Sequence, residues 1–165
     1  MRHVAAVGQR AKWTLKQVQG DDRIGYESGA MTTGYSGTPL AKKLNLRDGM
    51  RVWFDAMPEN VADEIDEYAL ELRFVPDPAA GIDAAHIFVT ERTALEERLH
   101  KLRHQISSDG QIWVSWPKQA AKVPTDVTED TIRELALPLR LVDTKVCAID
   151  EVWSGLKLVI RKELR

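Results

Sequence analysis

Cysteine is nearly absent: Cys147 stands alone, which excludes an internal disulfide and any metal cluster built on several thiolates. No run of about 18 apolar residues occurs, so the sequence offers no membrane-spanning helix. The N-terminus lacks the apolar stretch of a secretion signal, and a cytoplasmic location is expected. A basic excess is also missing, with 23 Lys and Arg against 25 Asp and Glu and a formal charge of −2. Nucleic-acid-binding domains usually show the opposite balance, so no nucleic-acid partner is expected. What remains is an ordinary globular composition, 44% hydrophobic and 29% charged, in a chain of 165 residues. That length suits one domain with a sizeable core.

Residues 1–30 read differently from the rest. They carry Arg2, Arg10, Lys12, Lys16 and Arg23 against Asp21, Asp22 and Glu27, and the stretch from Gly20 to Gly29 is polar and glycine-rich. Such text reads as a disordered arm or loop. The recognisable domain opens at Met31-Thr32-Thr33-Gly34-Tyr35, which makes Met31 an expected start of translation and residues 1–30 an upstream extension. A genuine flexible arm is the alternative. The single domain is expected over 31–165.

Within it, strand and helix patterns alternate. Thr38-Pro39 should cap a short helix over Leu40–Leu44. Met50 to Phe54 reads as a strand, and Pro58 opens a helix with Val61, Ile65 and Tyr68 on one face. Leu70 to Val75 and Ala84 to Thr90 give two further strands. Leu95, Leu99, Leu102 and Ile106 form a continuous helical stripe, ended by a turn at Ser107–Gly110. Gln111 to Trp116 is a strand stopped by Pro117. Thr128 caps the next helix, with Val127 placed to staple against Ile132. Leu139–Ile149 and Gly155–Lys162 form a closing antiparallel pair. The expected fold is therefore α/β: a Rossmann-like, mostly parallel sheet with flanking helices, ending in an antiparallel β-hairpin. From about residue 84 to 162 this element order resembles the second half of class I methyltransferases, in truncated form.

That resemblance implies a cofactor at the carboxyl ends of the strands, on a glycine-rich turn after the first. Here the turn is Asp55-Ala56-Met57-Pro58-Glu59, without glycine. The main expectation is accordingly a non-catalytic module that binds a small ligand or a protein partner. The alternative is a divergent S-adenosylmethionine-dependent methyltransferase that manages without those glycines. No catalytic residue, cofactor or metal ligand is assigned.

Candidate ligand-binding residues are Tyr35, Ser36, Thr38, Ser115, Trp116, Lys118, Glu151 and Trp153, all expected near strand ends. Gly34 to Pro39 could hold an anion, or could simply be a lead-in loop with a helix cap. At Ser115-Trp116-Pro117-Lys118 the lysine could meet an anion and the indole a ring, unless strand alternation buries the tryptophan. Asp150 to Gly155 gathers two carboxylates, an indole and a hydroxyl, a polar turn in its plainer reading. His100 and His104 sit four apart on a helix but on its solvated side, with no third ligand. His86 and Cys147 lie in apolar strands and read as packed residues.

Four peptides carry a closer likeness: Gly34 to Leu44, Val114 to Lys118, Pro124 to Glu129, and Val142 to Lys157. Over about Gly34 to Lys162 they resemble a bacterial family of unknown function (domain-of-unknown-function family 3052). The resemblance implies membership and no catalytic residues, and it leaves residues 1–30 outside the domain.

Overall fold

The computed structural model describes residues 37–165. Six strands form one sheet: β1 (Arg51–Asp55), β2 (Arg73–Phe74), β3 (Ile82–Phe88), β4 (Ile106–Pro117), β5 (Leu141–Ala148) and β6 (Trp153–Ile160). Their order is β2-β1-β3-β4-β6-β5. The first four run parallel, and β6 pairs antiparallel with both β4 and β5. The chain thus steps from β1 to β2 on one side, then to β3 on the other. That reversal places a topological switch point at the carboxyl end of β1.

Among the described residues four helices cover the sheet: α1 (Leu40–Lys43), α2 (Glu59–Asp66), α3 (Arg92–Gln105) and α4 (Glu129–Ala136). Leu40, Leu44, Val61 and Ile65 bury one face with Val52, Ala84, Phe88 and Trp113. Leu95, Leu99, Leu102, Ile132 and Leu135 bury the other with Ala85, Ile87, Ile112 and Leu156. β3 is almost continuously buried because helices lie on both of its faces. Thr128 closes α4 with a capping box to Thr131, and Val127 and Ile132 are both in the core.

Three local expectations change. The helix α1 has Pro39 rather than Thr38 at its N-cap and no side-chain cap bond, so Thr38 does not play that part. The second strand shrinks from Leu70–Val75 to Arg73–Phe74. The turn at Ser107–Gly110 is instead an irregular opening of β4, which starts directly after α3. Asp83 explains this last difference: its carboxylate accepts from the Arg51 N–H (2.9 Å) and the Ser107 hydroxyl (3.3 Å), tying three strands at their amino ends. Gly110 lies against that junction. A Cβ there would sit 2.8 Å from the Asp83 carbonyl oxygen, so only glycine fits.

The connection 75–81 positions the site. It leads from β2 to β3 through a single 3-10 turn at Pro78–Ala80 and contains no α-helix. Parallel crossovers generally need about a dozen residues or more, commonly with a helix. Val75 packs into the core on the α3 side, together with Trp53 of β1. With no crossover helix there, the other described residues leave the α3-side surface of β1 partly uncovered. Among the described residues no helix is long and apolar enough to cross a membrane.

Candidate functional site

A half-open groove of about 380 Å³ occupies that uncovered surface, within the roughly 300–1,000 Å³ usual for ligand sites. Trp53 and Asp55 come from β1, Asp77 and Pro78 from the helix-free connection, and Glu97, Arg98, Lys101, Leu102 and Gln105 from α3. Alternation along β1 explains the first pair. Val52 and Phe54 face the α1/α2 side, so Trp53 and Asp55 face α3. On α3, positions 98, 101 and 105 follow the helical period along one flank of the buried leucine stripe.

Asp55 is buried at the switch point and forms an ion pair with the Arg98 guanidinium. The pair fixes the register of α3 against the end of β1. Asp77 accepts from the Ala79 N–H (2.9 Å), which holds its carboxylate at the groove's outer wall. The recess therefore combines an aromatic floor, three carboxylates and two cations. That is a donor set for a small ligand carrying a ring and charges of both signs.

The expected site residues fall in several places. Tyr35 and Ser36 lie outside the described residues. Thr38 is exposed ahead of α1. Ser115 and Trp116 are in β4 and not in a loop: Ser115 is fully buried, and Trp116 packs into the core on the α3 and α4 side. Alternation turns the two side chains to opposite faces of the sheet, and both are buried because both faces are covered. Lys118, Glu151 and Trp153 do come together at the carboxyl rim. The Lys118 N–H donates to the Val152 carbonyl (2.7 Å), and Pro117 pairs with Trp153. Trp153 also meets Phe88 edge-on, with centroids 5.0 Å apart. Asp150 closes this rim, accepting from the N–H groups of Val152 and Trp153 (both 2.8 Å) and from the Asn60 amide (3.0 Å).

Two features escaped the sequence reading. The groove residues Trp53, Asp77, Glu97, Arg98, Lys101 and Gln105 gave no motif, because their meeting depends on a missing crossover helix. The flank spacing 98, 101 and 105 was the one available signal. The second feature is a buried pair, His86 Nε2 with Ser115 Oγ at 2.7 Å. His86 stacks on Phe88 (4.6 Å) beside Phe54 and Trp113, as the packed reading expects. Burial pushes its imidazole down to about 3, so it is neutral at physiological pH. Its Nδ1 has no hydrogen-bond partner among the described residues. The hydroxyl and imidazole resemble a nucleophile–base pair in distance alone, since both are shut from solvent. Cys147 is half-buried, and burial pushes its thiol up, against the activation a nucleophile needs.

Comparison with solved structures identifies the fold. A SAM-dependent methyltransferase from Aquifex aeolicus superposes with a TM-score of 0.54 at 10% identity, covering 73% of this chain and 88% of that one. The ribosomal protein L11 methylase of Lactobacillus delbrueckii subsp. bulgaricus gives 0.48 at 10% identity, over 74% of this chain and 75% of that one. A TehB-like SAM-dependent methyltransferase from Corynebacterium glutamicum gives 0.47 at 10% identity, over 87% and 99%. The fold assignment rests on the first of these. The chain has the Rossmann-like, class I methyltransferase type of α/β fold, with a mixed six-stranded, mostly parallel sheet. No protein-family model matches the chain. The search of curated proteins likewise found no match.

Proposed function

We propose that the chain is a divergent S-adenosylmethionine-dependent methyltransferase whose adenosyl ligand occupies the groove over Trp53. The observation that carries this reading is a groove of ring surface and mixed charges on the α3-side face of β1, which reaches Asp55 at the switch point of a methyltransferase-type sheet. Open α/β sheets bind ligands at such points. The residues fit the ligand's chemistry. Trp53 offers a face for adenine, Asp77 an acceptor for ribose hydroxyls, Glu97 a countercharge for the sulfonium and ammonium, and Lys101 one for the carboxylate. Triphosphates and dinucleotides fit less well, because three carboxylates oppose phosphate. When bound, S-adenosylmethionine supplies an electrophilic methyl group for an acceptor nucleophile. The protein's own part is to orient the ligand and, through the Asp55–Arg98 pair, to keep the groove's wall in register. We further propose that the chain belongs to the bacterial family of unknown function that its peptides resemble.

One observation favours a second reading, the non-catalytic module. The β1–α2 turn has no glycine and instead holds Ala56 at φ +58°, while the Asn60–Asp150 bond ties α2 to the β5–β6 turn across the rim. A partner would then dock on Lys118, Glu151 and Trp153. Calorimetry with S-adenosylmethionine and S-adenosylhomocysteine separates the two. Micromolar binding that weakens at least tenfold in Trp53→Ala supports the methyltransferase reading. No heat from either compound at millimolar concentration overturns it and supports the module.

A further inference from the structure

A different surface carries a second site. Lys145 of β5 and Lys157 of β6 are direct cross-strand partners. Like charges placed opposite one another destabilise a sheet pair, so a chain does not keep them there for stability. Both project on the α1 side of the hairpin, and both ammonium groups are fixed by the end of α1. Lys145 Nζ donates to the Lys43 carbonyl (2.6 Å) and Lys157 Nζ to Asn45 Oδ1 (3.1 Å). Each ammonium has three N–H donors and spends one in this way. Arg47 lies two residues beyond Asn45, and the Arg165 Nε donates to the Ile160 carbonyl (2.8 Å) at the end of β6; burial first, and then the charges of Lys145, Arg47 and Arg165, push the Lys157 amine down. Three of the four positive groups are thus held in place, and among the described residues none has its charge met in an ion pair.

We propose that Arg47, Lys145, Lys157 and Arg165 form a binding site for a multiply charged phosphoanion, the phosphate group or groups of a small phosphorylated molecule. A compact oxyanion presents several acceptor oxygens within the few ångströms that separate paired strands, which matches fixed N–H donors better than the spread carboxylates of an acidic peptide do. The site lies on the α1 side of the sheet, on the hairpin, whereas the groove lies on the α3 side over β1. The proposal therefore stands whether or not the groove binds an adenosyl ligand.

Tripolyphosphate is the probe, titrated into the full chain by calorimetry at low salt and compared with sodium chloride of matched ionic strength. The expected result is saturable binding that weakens at least tenfold in Lys157→Gln and severalfold in Arg47→Gln. Arg47 is exposed, so its replacement leaves folding intact and keeps the test meaningful. In the absence of the anion, Lys157→Gln should also raise the melting temperature, because it relieves repulsion. Binding that is absent, or equal in both variants and the parent, overturns the proposal. So does a thermal stabilisation that matched chloride reproduces.

Discussion

Replacing Glu64 by Gln should change how stability depends on pH. Glu64 lies on α2, and burial, reinforced by Glu67 and Asp150 and opposed by Lys43, pushes its carboxyl from an ordinary 4.5 up to about 7. Below pH 4.5 the folded and unfolded chains both hold the proton, and there is no penalty. Between 4.5 and about 7 the unfolded chain releases it while the folded chain keeps it, so stability falls as pH rises. At 1.36 kcal/mol per pH unit the full span corresponds to about 3.4 kcal/mol. The side chain retains contact with water, and screening reduces this to roughly 1.5 kcal/mol. His86 works in the opposite direction, because an imidazole pushed down to about 3 loses stability as pH falls below its ordinary 6.5. The parent curve alone therefore mixes two opposing slopes. The difference between Glu64→Gln and parent isolates one of them. Urea melts at pH 5, 6, 7 and 8 should show the variant gaining on the parent by ~1 kcal/mol across that range, most of it between 5 and 7. A flat difference curve, or one of opposite sign, would refute the burial argument.

Other consequences are as direct. The His86 ring resonances should not titrate between pH 8 and 5 in NMR, and a midpoint near 6.5 would contradict the sealed aromatic setting. Ser115→Ala removes the imidazole's hydrogen-bond partner and should cost about 1–3 kcal/mol in urea melts, a buried polar group being left unpaired. Gly155→Ala would place a Cβ 2.8 Å from Ile149 Cδ1 and 3.2 Å from Trp113 Cε3, an overpacking cost of about 1–3 kcal/mol. An unchanged urea midpoint would show that this core yields more easily than its packing implies. Thr128→Ala should lose about 1 kcal/mol with the α4 cap.

The alternation of elements was legible because each rests on a local period. The leucine stripe of α3, the Thr128 cap and the closing hairpin all depend on neighbours within a few residues. Strand order in an open sheet also follows from connection rules, so the methyltransferase-type frame could be read ahead of the structure. The site was much less legible. Ser115 and Trp116 sit near a strand end in sequence, yet β4 continues through Pro117 and is covered on both faces, so both are buried. Trp53, Asp77 and Arg98 meet only because the connection 75–81 crosses without a helix, and nothing in the text of residues 70–81 announces that. Lys145 and Lys157 carry no motif either. Their opposition depends on hairpin register, which the irregularity between Asp143 and Lys145 shifts by one residue.

The most direct test of the groove is the indole N–H region of a two-dimensional NMR spectrum during addition of S-adenosylhomocysteine. Trp53 lines the groove, Trp113 is locked to the Leu44 carbonyl at 3.0 Å, and Trp153 packs on the opposite, α1 side of the sheet. The methyltransferase reading expects the Trp53 signal to shift progressively while Trp113 stays fixed. A shift confined to Trp153, or no shift at any indole, would contradict it.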